Sequence, residues 1–315
     1  MGYLVIHLRL VVPGGIHDRV VEFLCQDPRV LNVTILRGAA LQPSGDVLMC
    51  DVAREAASDV IATLRRLGLG DEASIAIQGV DTMSSAAADR AEAAAPGSPD
   101  DGIVWDTVLG QARADARPSW SFYAFLCLAT TIAAIAVITD SAILVVGAMV
   151  VGPEFGPVAA TAVGLVLWRQ DLIRDAVWLL VTGFAVAIAM TTALALVARL
   201  AGWITPADLS DPRPLTGFIW APDRWSVVVA LLAGAAGVLS LTAGRSNALV
   251  GVFISVTTVP AAGNLGLAFA LGVPEEIGGA SAQLAINLAG MTLAGCLVLT
   301  VQRLLTGSRI PQDSR

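Results

Sequence analysis

Six long apolar runs fill the chain between residues 120 and 305. They occupy residues 120–139, 141–168, 172–201, 225–243, 246–271 and 280–305. A helix needs about 20 apolar residues to cross the hydrocarbon core of a bilayer. We therefore expect an α-helical polytopic membrane protein of about six spans. Its membrane domain would cover residues 119–306, and a short tail, 307–315, would follow.

Residues 1–82 show a different pattern, in which strand-like and helix-like segments follow one another. Strands are predicted at 4–12, 30–37, 47–52 and 74–80, helices at 18–26 and 54–69, and a loop at 38–45. The order βαββαβ is that of the ferredoxin-like unit. We therefore predict a soluble α+β domain here, and residues 83–118 are expected to form a linker followed by an amphipathic interfacial helix.

The composition of the whole chain is that of a membrane protein. The 315 residues are 56% hydrophobic and 14% charged, whereas soluble chains carry about 25% charge. The net charge of −7 and the lack of a basic aromatic patch argue against nucleic-acid binding. Cys25, Cys50, Cys127 and Cys296 show no metal-binding spacing, and we expect neither a cofactor nor a metal.

Arginine placement predicts the orientation, because short basic loops stay in the cytoplasm. With the N-terminus inside, eight arginines of the membrane-flanking segments fall on the cytoplasmic side and three on the other: Arg113, Arg117, Arg169, Arg174, Arg245, Arg303, Arg309 and Arg315 against Arg199, Arg213 and Arg224. Both termini are therefore expected in the cytoplasm, on the same side as the soluble domain.

Two of the apolar runs are interrupted. The first interruption is Gly152-Pro153-Glu154-Phe155-Gly156-Pro157, and the second, about 100 residues later, is Thr257 to Asn264, which contains Pro260. Proline within a helix removes a backbone hydrogen bond, and an isolated acid in a membrane is costly. Such breaks persist where they line a cavity, and transporters build substrate sites from them.

The two halves of the membrane domain follow one plan. Trp120 and Trp225 stand 105 positions apart, as do Ser141 and Ser246. Each half has a straight span, a tight turn, a broken span and a long closing span. Because three spans are an odd number, the second copy would run through the membrane upside down. We predict two inverted repeats, residues 119–201 and 225–306.

The breaks and the last span supply the candidate ligand groups for a small solute or ion. Glu154, taken as the only carboxylate inside a span, could bind a cation, carry a proton or simply be hydrogen-bonded. Gln283 and Asn287 lie one turn apart and could equally serve as links between helices. The full candidate set is Gly152, Pro153, Glu154, Gly156, Pro157, Thr257, Thr258, Pro260, Asn264, Gln283 and Asn287.

Two sequence strings resemble a known family. Leu8-Arg9-Leu10-Val11-Val12-Pro13 and the string from Val146 to Pro157, which includes Gly-Ala-Met-Val-Val-Gly-Pro-Glu, are similar to those of the bacterial membrane proteins called domain of unknown function 389. The resemblance implies a multi-pass protein of the bacterial cell (inner) membrane. It implies no substrate and no residue roles.

Two function classes remain open from the sequence. The first is a transporter or channel for a small solute or ion, regulated or assembled into a homo-oligomer through its cytoplasmic domain. The second is a membrane sensor or scaffold that transports nothing. An enzyme is not expected, because the spans contain no histidine, no paired acids and no Ser–Lys set.

Overall fold

The computed structural model describes residues 5–70, 73–80, 83, 85–95, 102–243 and 257–306. The chain divides into two compact units. Unit 1 consists of Met1–Leu109, Thr242–Arg245 and Gln302–Arg315, and unit 2 of Gly110–Leu241 and Ser246–Val301.

Unit 1 is built around a four-stranded antiparallel sheet with the strand order β2-β3-β1-β4. The strands are β1 (Val5–Val12), β2 (Val30–Leu41), β3 (Ser44–Ala53) and β4 (Ser74–Val80), and the helices between them are α1 (His17–Gln26) and α2 (Ala57–Arg66). The element order βαββαβ is the predicted one. Leu8 and Leu10 of β1 join Leu24 of α1 and Ile61 and Leu64 of α2 in one buried core, as the alternation along β1 indicates.

The β2–β3 connection differs from the prediction. The loop expected at 38–45 is a long hairpin, in which β2 and β3 continue until only Gln42 and Pro43 separate them. Gly38 adopts a positive φ of 61°, its N–H donates to Asp46 Oδ1 at 2.6 Å, and the strand register shifts between Leu36 and Ala40. The glycine thus marks a bulge inside a strand, which sequence alone reads as a loop.

A further helix, α3 (Ala86–Ala94), lies in the stretch assigned to the linker. Its Ala88 and Ala91, together with Ala95, belong to the buried core of unit 1. Ser85 caps the helix by accepting a hydrogen bond from Ala87 N at 3.2 Å. Three small residues at helical spacing are therefore enough to pack this segment, although its alanine-rich composition is also typical of a linker.

This packing makes a prediction about the extent of the soluble domain. We expect a polypeptide of residues 1–95 to be more stable than one of residues 1–82 by about 2 kcal/mol, because burying each of the three alanine methyl groups contributes about 0.8 kcal/mol. Urea unfolding followed by circular dichroism measures the difference. Equal midpoints would show that α3 adds nothing to the core.

Unit 2 consists mainly of apolar helices, preceded by α4 (Trp105–Asp115), which begins in unit 1. In chain order they are α5 (Trp120–Ile138), α6 (Ala142–Val151), α7 (Phe155–Leu167), α8 (Gln170–Leu200), α9 (Pro206–Ser210), α10 (Arg224–Ala243), α11 (Thr258–Leu271) and α12 (Pro274–Thr306). Among the described residues, α5, α8, α10 and α12 are each long and apolar enough to cross a membrane. The pair α6 and α7 would make a fifth span.

The predicted span 246–271 is described only from residue 257 onward, as α11. Ser246, which was paired with Ser141 in the predicted repeat, lies outside the described residues. The last span begins earlier than predicted, at Pro274 rather than residue 280. Proline is favoured in a first helical turn, and acids are stabilised there. The helix therefore begins with Pro274, Glu275 and Glu276, which a search for apolar residues does not include in the span.

The segment 202–223, which connects the apolar runs 172–201 and 225–243, is folded against the helices. Leu209 and Ile219 are buried in a cluster with Val137 of α5 and Leu267 of α11. Asp140, at the turn after α5, accepts hydrogen bonds from Leu215 N and Thr216 Oγ1 at 3.1 and 2.8 Å. These contacts hold the segment close to the turn between α5 and α6.

Candidate functional site

The first break separates α6 from α7, whose axes differ by 53°. Gly152 ends α6, Pro153 follows, and Glu154 is the residue that precedes α7. Pro157 is the third residue of α7, and the first backbone bond of the helix, from Val158 N to Glu154 O at 3.3 Å, comes directly after it. N–H groups of a first turn have no partner within the helix, so Pro157 removes no hydrogen bond.

The start of α11 shows the same arrangement. Thr257 precedes α11, Pro260 is its third residue, and Ala261 N donates to Thr257 O at 3.0 Å. Glu154 and Thr257 therefore occupy equivalent positions, each directly before a helix, and Pro157 and Pro260 are each the third residue of that helix. The predicted interruption at residues 152–157 is confirmed by the bend between α6 and α7. Pro157 and Pro260 each stand in the first turn of a helix, so neither one removes a hydrogen bond from a helix interior.

The first break touches the start of α11 at Gly152. A Cβ atom built on Gly152 would lie 2.7 Å from Val259 Cγ2, and it would also overlap Glu154 Oε2. Real Cβ contacts are essentially never that short. Only glycine therefore lets the start of α11 and the Glu154 side chain approach this point together.

Glu154 is buried, with 7% of its surface exposed. Its Oε2 atom has no hydrogen-bond partner among the described residues, and its side chain does not cap α7. Thr258, the first residue of α11, is fully buried with its Oγ1 likewise unpaired in the described chain. Unpaired buried polar atoms are rare in native proteins, and each one calls for an explanation.

A third polar group packs against the start of α11. Thr257 Oγ1 accepts hydrogen bonds from Gln283 Nε2 at 2.9 Å and from Asn287 Nδ2 at 3.0 Å. Gln283 Oε1 is buried without a partner in the described part of the chain. The structure thus brings Thr257 together with Gln283 and Asn287, whereas the sequence placed only Gln283 and Asn287 on one helix face.

Asn264 belongs to a separate cluster. It is fully buried, accepts from Arg213 NH1 at 3.3 Å and donates from Nδ2 to Glu276 Oε2 at 3.0 Å. Arg213 and Glu276 also form a buried ion pair. Seven residues of helix, about 10 Å, separate Asn264 from Thr257. Its amide is occupied by these two side chains, which makes Asn264 part of a closed structural network.

Sequence reasoning missed three charged residues near these sites. Glu276 lies in the first turn of α12, so Glu154 is not the only carboxylate within a candidate span. Arg213 comes from the segment 202–223, where no periodicity marks it. Asp115 of α4 packs against Gly156, where a Cβ atom would lie 3.1 Å from Asp115 Cγ. Burial raises the pKa of Asp115, and a hydrogen bond from Gln111 opposes that rise.

These observations define a class of protein with several apolar, membrane-type helices, one bent pair among them, and a small antiparallel sheet at the N-terminal end. Residues 149–293 match the model of the family described as Domain of unknown function (DUF389). The resemblance to this family is thus confirmed. The match covers the part of the Val146–Pro157 string from Met149 onward, and it covers α11. It does not cover the Leu8–Pro13 string.

An uncharacterised protein of Methanocaldococcus jannaschii is 25% identical to this chain over 175 residues. The alignment covers 56% of this chain and 52% of that protein, so the chain spans about half the length of this relative. No solved structure matches the chain.

Proposed function

We propose that this protein is a membrane transporter or channel for a small solute or ion, with its site where the two helix breaks meet. The observation that carries the proposal is that Glu154 Oε2 and Val259 of α11 both lie against Gly152, while Glu154 Oε2 and Thr258 Oγ1 have no partner among the described residues. A protein that served only as an anchor or scaffold would gain nothing from two breaks with unsatisfied polar atoms. Transporters use such breaks to hold a ligand.

Helix lengths support an inverted repeat of three spans in each half. The straight helices α5 and α10 have 19 and 20 residues, the helices after the breaks, α7 and α11, have 13 and 14, and the long helices α8 and α12 have 31 and 33. Both α7 and α11 end at a residue with positive φ, Trp168 and Gly272. The proposal includes six spans in the cell membrane with both termini in the cytoplasm.

The ferredoxin-like domain would regulate transport or assemble the protein into a homo-oligomer. Such a role suits a small sheet domain attached to membrane helices, but the fold itself assigns no ligand.

Flux through proteoliposomes tests the function. Across a panel of ions and small metabolites, we expect wild-type protein to move at least one solute faster than empty liposomes. Glu154→Gln keeps size and hydrogen-bonding capacity but removes the titratable charge, so flux coupled to ions or pH should fall at least tenfold. Pro153→Ala should also lower flux, because it permits a more continuous helix between α6 and α7.

Glu275→Gln is the matched control, since this substitution makes the same chemical change at an exposed carboxylate. Its flux should equal that of the wild type. If wild-type protein moves nothing beyond empty liposomes, the sensor or scaffold function takes the place of this proposal. Flux that is unchanged in Glu154→Gln would keep the transporter and remove Glu154 from its mechanism.

A further inference from the structure

We propose that residues 202–223 form a gate that closes against α11 and α12, and that the buried ionic network around Arg213 controls its opening. This gate segment joins α8 to α10, the last helix of the first predicted repeat to the first helix of the second. The inference rests on the proposed transport function and adds the regulation of solute passage.

Two polar attachments hold the gate segment. In the first, Arg213 forms an ion pair with Glu276 of α12, and its guanidinium also donates to Asn264 Oδ1 of α11 at 3.3 Å. In the second, Thr216 Oγ1 donates to Asp140 Oδ1, in the turn after α5, at 2.8 Å. All three residues of the first attachment are less than one tenth exposed, whereas Asp140 of the second is partly exposed. The first attachment is therefore the one that water does not reach while the segment is in place.

Apolar and backbone contacts place the gate segment against the same helices. Leu209 and Ile219 are at most 1% exposed, and they belong to a buried cluster with Leu267 of α11. The Trp220 carbonyl approaches Gly279 of α12 so closely that a Cβ atom there would overlap it. The structure therefore shows the gate segment in its closed position.

The network uses charges where apolar side chains would hold the segment equally well. Both carboxylate oxygens of Glu276 are engaged, Oε1 by Arg213 and Oε2 by Asn264 Nδ2 at 3.0 Å. Replacing a buried ion pair by packed apolar groups is often neutral or stabilising, and ionisable residues within membrane domains mark solute pathways. Opening returns both charges to water, whereas opening an apolar contact exposes apolar surface. The charged network therefore favours a segment that opens and closes over one that is permanently fixed.

Helix α11 connects the gate segment to the candidate site. Its start packs against Gly152 through Val259, and Asn264 is its seventh residue. All of its residues except Phe269 are buried, so it cannot shift while every neighbouring element stays in place. When the gate segment leaves Asn264 and Leu267, α11 loses packing along part of its surface. The helix can then move where it meets Gly152.

Thiol labelling of the purified full-length protein in detergent tests the inference. The four native cysteines are replaced by alanine, and Leu209→Cys or Leu179→Cys is then introduced. Both leucines are 1% exposed, Leu209 in the gate segment and Leu179 in α8. A water-soluble maleimide reaches either thiol only when the surrounding structure opens. Position 209 therefore reports the gate segment, and position 179 is the matched control in the membrane helices.

With the network intact, we expect position 209 to react at least tenfold faster than position 179, because the gate segment opens without unfolding of the membrane helices. Adding Glu276→Gln should raise the rate at position 209 at least tenfold further. The substitution leaves Arg213 charged and unpaired in the closed state, but that charge is hydrated in the open state, so the open state gains population.

The triple variant Arg213→Met, Asn264→Leu and Glu276→Leu should act in the opposite direction. It holds the segment by apolar groups, which gain nothing from water when the segment opens. The ratio of the labelling rates at positions 209 and 179 should therefore fall at least tenfold. Solute flux through proteoliposomes should fall at least tenfold as well, although the variant is folded. This variant carries the test if Glu276→Gln does not fold.

Three results would overturn the inference. The first is equal labelling at positions 209 and 179 with the network intact, since the segment would then open only by unfolding. The second is an unchanged ratio of rates in the triple variant, and the third is a folded triple variant with wild-type flux. The expected labelling without flux in the wild type would leave the opening of the segment in place and remove transport. Wild-type flux together with either of the first two results would keep transport and remove the gate.

Discussion

Glu276→Gln lowers the free energy of unfolding by about 3–5 kcal/mol, because it leaves the buried Arg213 guanidinium without its carboxylate partner. Arg213 and Glu276 are both less than one tenth exposed, and among the described residues the only other side chain that hydrogen-bonds the Arg213 guanidinium is the Asn264 amide. A charge that is removed from water and then left unpaired costs far more than the pair itself contributes. Thermal unfolding of the protein in detergent, followed by intrinsic fluorescence, measures the loss.

Glu275→Gln provides the control, since Glu275 is exposed in the same helical turn and should change stability by less than about 0.5 kcal/mol. A triple variant, Arg213→Met, Asn264→Leu and Glu276→Leu, replaces the whole network by apolar groups of similar volume. We expect it to recover most of the stability that the single substitution loses, because buried ionic networks are often no more stable than well-packed apolar ones. A triple variant as unstable as Glu276→Gln would show that the network contributes stability of its own.

Gly234→Ala should destabilise the membrane helices by about 3 kcal/mol, at the upper end of the cost of overpacking. Gly234 lies where α10 crosses α12, and a Cβ atom there would be 2.5 Å from both Cα and O of Met291. Those are backbone atoms of a helix, which cannot rotate away as a side chain can, so the two helices must separate. The midpoint of thermal unfolding in detergent reports the effect.

Gly147→Ala is the contrasting case, because no atom lies within 4 Å of a Cβ atom built on Gly147 in α6. Alanine there should leave stability unchanged or raise it by about 0.5–1 kcal/mol, since alanine loses less backbone freedom than glycine when a helix forms. If the two substitutions gave equal midpoints, the crossing of α10 and α12 would be looser than the structure indicates.

Local patterns in the sequence predicted elements where one physical signal dominated. Apolar runs located α5, α8 and α10, and alternation located β1 and β4, because burial of one face or of a whole helix acts on consecutive residues. The same signals failed at Gly38 and at residues 86–94. A glycine bulge and an alanine-rich helix each depend on a neighbouring element for their stability, and neither leaves a distinct pattern in the chain.

The sequence by itself determined the membrane-type composition, the order of elements in the N-terminal domain, and the interruption between α6 and α7. Glycine, proline and polar residues within apolar runs are local properties, so their positions could be read directly. Only the tertiary structure decided that Gly152 contacts Val259. It also decided that Thr257 accepts hydrogen bonds from Gln283 and Asn287, and that Asn264 hydrogen-bonds Arg213 and Glu276. The paired residues lie 12 to 107 positions apart in the chain. They meet because their segments pack at particular angles, which no local pattern in the sequence encodes.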